Sequence, residues 1–112
     1  MNFKMTQPCA HCPFRKDIRP YLTRGKVREI ERSLVHACFP CHETTQHDDD
    51  GAYLKTEEET HCAGALILLE KLERPSQMMR IAERLHLYDR RKLNMKAPVF
   101  RSFKAMITAQ KD

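Results

Sequence analysis

Residues 62–73 read CAGALILLEKLE, and the run from Cys62 to Leu69 is apolar without a break. A stretch that is apolar all round leaves no face for solvent, so it is predicted to form a buried central helix from Cys62 to about Glu73. Gly64 weakens helix propensity there, which fits a close backbone approach near Cys62. Upstream, Thr23 can cap a helix running to about Ala37, with Val27, Ile30, Leu34 and Ala37 at helical spacing. Downstream, Pro75 and Ser76 open a third helix to about Leu85, its Met78, Met79, Ile81, Ala82 and Leu85 expected towards the core. His86 at its end is tolerated in the left-handed region better than most residues. Asp89 caps a short turn over DRRKL, and Pro98 starts a final helix to about Gln110 with Val99, Phe103, Met106 and Ile107 in one stripe.

What lies outside these helices is irregular. Residues 1–22 carry Pro8, Pro13 and Pro20, which favour turns over a long helix. Residues 41–61 read as a loop that turns at Asp48–Gly51, with a short extended piece at Ala52–Leu54. The expected fold is mainly α, a single domain over residues 1–112 with about four helices. Its parts are a metal-binding loop (1–22), a helix (23–37), a loop (41–61) and a helical part (62–110), organised around one metal site.

The metal site is expected from the cysteines. Cys9-Ala10-His11-Cys12 and Cys38-Phe39-Pro40-Cys41 share the C-x-x-C spacing that lets two sulfurs reach one ion, with 25 residues between Cys12 and Cys38. Spacing alone gives a four-cysteine site from these two pairs. Cys62 offers another choice, because a thiolate at a helix N-terminus is favoured by exposed N–H groups and the dipole. Cys9, Cys12, Cys41 and Cys62 would then join three separated segments, leaving Cys38 as a small core residue. His42 is a further candidate ligand or hydrogen-bond partner, and Arg15 a candidate donor to a thiolate sulfur.

The segments CAHCPFR, FPCH and HCAG resemble a family of small proteins from bacteria and their phages, with the pattern C-x-x-C-P-aromatic-R, then C-H, then C-A-G. The likeness covers roughly residues 9–65. It implies Cys9, Cys12, Cys41 and Cys62 as the site, with Pro13, Arg15, His42 and Gly64 beside it, and it carries no established activity. Zinc is the expected metal, with an iron–sulfur cluster as the alternative. Four thiolates fill zinc's tetrahedron and leave no position for a catalytic water, so such a site is structural.

Composition limits the remaining classes. The chain has 112 residues, 41% hydrophobic and 31% charged, with mean hydropathy −0.64. That is a soluble globular composition. The first residues lack the apolar region of a secretory leader, and the apolar run at Cys62 is far shorter than the roughly 20 residues that span a bilayer. A cytoplasmic protein with no membrane partner is expected. Net charge is +4 over residues 1–47, −5 over 48–62 and +6 over 63–112. That pattern permits a nucleic-acid or acidic-protein partner. Candidate phosphate contacts are Arg24, Lys26, Arg28 and Arg32, with Arg90, Arg91, Lys92 and Lys96 later in the chain. A thioredoxin-like pair lacks its preceding strand, the acidic clusters lack EF-hand spacing, and no phosphate loop or zinc-protease motif occurs. His11, His36, His47 and His61 fall in loops or near helix ends, where exposed or capping roles are expected.

Overall fold

The first long helix-forming run downstream of Cys62 is α2, Ala63–Lys71, and its residues from Ala63 to Leu69 are all buried. The computed structural model describes residues 2–34, 39–40, 46–47, 49–54 and 60–110. Around α2 lie α1 (Arg24–Ser33), α3 (Gln77–Arg84), a 3-10 turn (Arg90–Lys92) and α4 (Phe103–Ala109). Two short strands, β1 (Gln46–His47) and β2 (Tyr53–Leu54), pair antiparallel inside the segment read as a loop. The fold is small and mainly helical, as expected. None of the described helices is long and apolar enough to cross a membrane.

Side-chain caps start three of the helices. Thr23, Ser76 and Ser102 each accept a hydrogen bond from a backbone N–H in the first turn of α1, α3 and α4. Asp89 does the same for the 3-10 turn by accepting from Arg91 N. The ends of α2 and α3 repeat one design. Arg74 N donates to Leu69 O and Glu73 N to Glu70 O, with Glu73 left-handed at φ 55°. Leu87 N donates to Ala82 O and His86 N to Glu83 O, with His86 at φ 61°. Both are Schellman closures, and the second bears out the expectation for His86.

Val27, Ile30 and Leu34 of the first helix are buried as expected; the predicted extension to Ala37 lies outside the described residues. Two helix expectations are corrected. Pro98 does not start α4, because residues 98–100 run extended against the N-terminal segment. Lys16 N donates to Pro98 O (2.8 Å), Phe100 N to Phe14 O (3.0 Å), and Arg15 bridges Val99. That pairing holds Val99 in the core outside the helix and defers the cap to Ser102. On α3, Met79 and Ala82 face the core, while Met78, Ile81 and Leu85 are exposed. The core is covered on that side by a single face of α3.

Candidate metal centre

The N-terminus of α2 is where distant parts of the chain converge. Asn2 pairs with Thr60, and His61 N donates to Asn2 O at 2.8 Å. On the other side Pro40 pairs with His61, and Cys62 N donates to Phe39 O at 2.7 Å. Residues 60–62 are thus held between two extended pieces before the helix begins. Cys62 is the cap residue of α2.

Cys12 arrives at the same point from the N-terminal loop. Two tight turns shape that loop: Cys12 N donates to Cys9 O (3.2 Å) and Arg15 N to Cys12 O (3.1 Å). Cys9, Cys12 and Cys62 are all buried. The Sγ atoms of Cys12 and Cys62 are 3.5 Å apart, a hydrogen-bonded pair. A disulfide would hold them at about 2.05 Å. The hydrogen bond from Cys62 keeps the Cys12 thiol below its usual pKa, with backbone N–H groups of Phe14 and Gly64 and the Arg15 charge adding to this against the effect of burial. This setting favours the thiolate form of Cys12 relative to an ordinary cysteine.

Gly64 explains how the two segments come so close. A Cβ at that position would lie 2.5 Å from Cys12 Sγ and 2.9 Å from Phe14 Cβ. The expectation of a close approach at Gly64 holds, and the element that approaches is the Cys12–Phe14 turn. Arg15 acts on the Cys12 sulfur through its charge, without a described hydrogen bond to it. Its Nη1 donates to the Cys9 carbonyl oxygen (3.3 Å), and its Nε and Nη2 clasp Asp17 at 2.8 and 2.7 Å.

His61 overturns its expected exposed role. It is fully buried, with its ring stacked on Phe3 at 5.4 Å. Nε2 accepts from Phe39 N at 3.4 Å, which leaves the proton on Nδ1, facing the Cys62 carbonyl oxygen at 3.2 Å. Burial lowers its pKa to about 4, so the ring is neutral. Both ring nitrogens are committed to backbone, and His61 therefore positions residues 39 and 62. Helical or loop patterning gives no sign of this; the adjacent Cys62 was the one available hint.

Among the described residues, no three His, Cys, Asp or Glu side chains form a group able to hold an ion. Cys41 lies outside the described residues, as do Cys38 and His42. Of the three described candidate ligands, Cys12 and Cys62 are brought together, and Cys9 does not join them in a group that could hold an ion. Tetrahedral zinc with Zn–S bonds of about 2.3 Å places two sulfurs about 3.8 Å apart, close to the Cys12–Cys62 separation of 3.5 Å.

A family model matches residues 4–112, that of a family of unknown function, DUF6283. The chain belongs to this family. The match takes in the four described helices, the turn at Cys9–Cys12, residues 39–40 and the start of α2, while Asn2 lies just outside it. Neither the curated proteins nor the solved structures give a match.

Proposed function

We propose that this DUF6283 member is a small zinc-binding domain in which Cys9, Cys12, Cys41 and Cys62 hold one ion, acting as a binding or regulatory module. The contact of Cys12 with Cys62 at 3.5 Å carries this reading. Two buried sulfurs from segments 50 residues apart, with backbone N–H groups donating to one of them, suit a pair of thiolates on one metal. Phe39 and Pro40, which separate Cys38 from Cys41, lie directly against His61 and Cys62, and the preference for Cys41 over Cys38 comes from the cysteine pattern of the sequence. When bound, zinc supplies a cross-link between the N-terminal loop and the start of α2. Metal affinity then becomes folding free energy.

The same separation suits a two-iron cluster, which also places two thiolates on one iron. A four-iron cluster ligated by four cysteines places one on each. Metal analysis with a visible spectrum on anaerobically purified protein decides between them. The expected result is a colourless protein with one equivalent of zinc, no metal in Cys62→Ser, and wild-type metal in Cys38→Ser. Wild-type metal content in Cys62→Ser overturns the ligand set.

Nucleic acid is one candidate partner of the module. Of the basic residues proposed for phosphate contact, Arg24 donates to Gln110 O, Lys26 pairs with Glu29, Arg90 with Glu83 and Arg91 with Asp89. Arg28, Arg32, Lys92 and Lys96 have no ion-pair partner among the described residues. A mobility-shift assay over a salt series tests this role, and absence of binding at low salt removes it.

A further inference from the structure

The large apolar side chains that remain exposed are concentrated on α3 and the turn after it. Met78 is 39% exposed, Ile81 41%, Leu85 61% and Leu87 66%. Met78, Ile81 and Leu85 are spaced i, i+3 and i+7, so they form one row about 10 Å long. Single exposed apolar residues are ordinary, but a contiguous row marks an interaction surface.

The charges beside the row show what it fits. At 100° per residue, Arg80 and Arg84 flank it on one side, and buried Ala82 leads into the core on the other. Glu83, the one carboxylate of α3, is engaged by Arg90 at 3.7 Å. Arg80 and Arg84 have no carboxylate partner among the described residues. On the side of Arg80 away from the row opens a cleft of about 260 Å³, with Leu69, Leu72 and Phe103 among its walls and both Arg74 and Glu31 lining it, so it is not part of this face.

We infer that this face of α3 docks an acidic amphipathic helix of another protein. Its apolar side chains lie on Met78, Ile81 and Leu85, and its carboxylates meet Arg80 and Arg84. The inference rests on the binding-module reading and is independent of the metal. A second copy fits less well, because antiparallel pairing of α3 with itself sets arginine against arginine. Nucleic acid would leave the apolar row unused.

The test uses the 112-residue chain as purified to select from a displayed library of random peptides, with each enriched peptide then serving as the probe in an anisotropy titration. The expected peptides carry Asp or Glu beside apolar residues at helical spacing. Ile81→Ser with Leu85→Ser weakens their binding about tenfold or more, and Arg80→Glu with Arg84→Glu does likewise. Circular dichroism and metal content stay at wild-type values in both variants, which separates this surface from the metal site. No enriched peptide, enrichment of basic peptides, unchanged affinity in either variant, or a dimer in sedimentation that the Leu85→Ser change dissolves each overturns the inference. Its failure leaves the zinc stoichiometry untouched.

Discussion

α2 and α3 are of similar length and close with the same turn, yet their apolar residues have opposite fates. α2 buries its residues from Ala63 to Leu69, whereas α3 buries Met79 and Ala82 and leaves Met78 and Ile81 in solvent. Surroundings make the difference. The start of α2 is enclosed by the Cys12–Phe14 turn and the extended pieces at residues 2 and 39–40, and its end is tied down by Lys71 Nζ donating to Val99 O at 3.0 Å. Only one side of α3 meets the core. Apolar content makes a helix stick to something; the number of neighbours decides whether that something lies inside the molecule.

The sharpest way to break this contrast is Gly64→Ala. The new methyl meets Cys12 Sγ and Phe14 Cβ, and neither can swing away, since one sulfur is held by Cys62 and the other atom is fixed to its backbone. A loss of about 3 kcal/mol or more is expected in chemical denaturation. An unchanged midpoint would mean that the two segments are further apart in solution. Leu66→Ala follows, expected to cost about 2–5 kcal/mol because Leu66 is fully buried. Leu85→Ala is the matching change on α3 and should stay within about 0.5 kcal/mol by the same measurement. A large loss there would show the row already covered in the free protein.

The smallest effect is at Asp89, just beyond α3. The Arg91 side chain and backbone N–H hold its carboxyl below the ordinary range. A depressed folded value makes its contribution full above the unfolded carboxylate pKa of about 3.9 and lost as pH falls through the folded one. Asp89→Asn should therefore lower the melting temperature slightly at pH 7, with the gap to wild type closing as pH drops below about 4. A gap that widens on acidification would contradict the ion pair.

The sequence disclosed α2 because an all-round apolar run has one interpretation. It disclosed the caps at Thr23 and Asp89 because each precedes a helix or turn with the right side chain, and it opened α3 at Pro75–Ser76, where Ser76 proves to be the cap. On α3 it could not choose between two rows, Met79 with Ala82 and Met78 with Ile81 and Leu85. Both have helical spacing, and periodicity is blind to which row has neighbours. α4 was started too early because Pro98 favours a helix start locally, while Val99 and Phe100 are recruited by Phe14 and Lys16 from the other end of the chain. Cys12 and Cys62 were legible as neighbours through the family resemblance, where spacing alone paired Cys12 with the Cys38–Cys41 segment, and Gly64 as a close approach near Cys62. The role of His61 was not, since its partners are backbone groups of Phe39 and Cys62, which no pattern of side chains reveals.

The contact of Cys12 with Cys62 also sets a timetable. During synthesis the N-terminal turn leaves the ribosome 50 residues before the residue it must meet. At about 5–20 residues per second, that is an interval of roughly 3–10 s in which the wall that receives Cys12 has not been made. The turn at residues 9–15 has its own short-range hydrogen bonds, Cys12 N to Cys9 O and Arg15 N to Cys12 O, but the pairing of residues 14–16 with residues 98–100 comes later still. For a nascent chain, the Cys12 turn is half of a contact, and α2 is the late arrival that completes it.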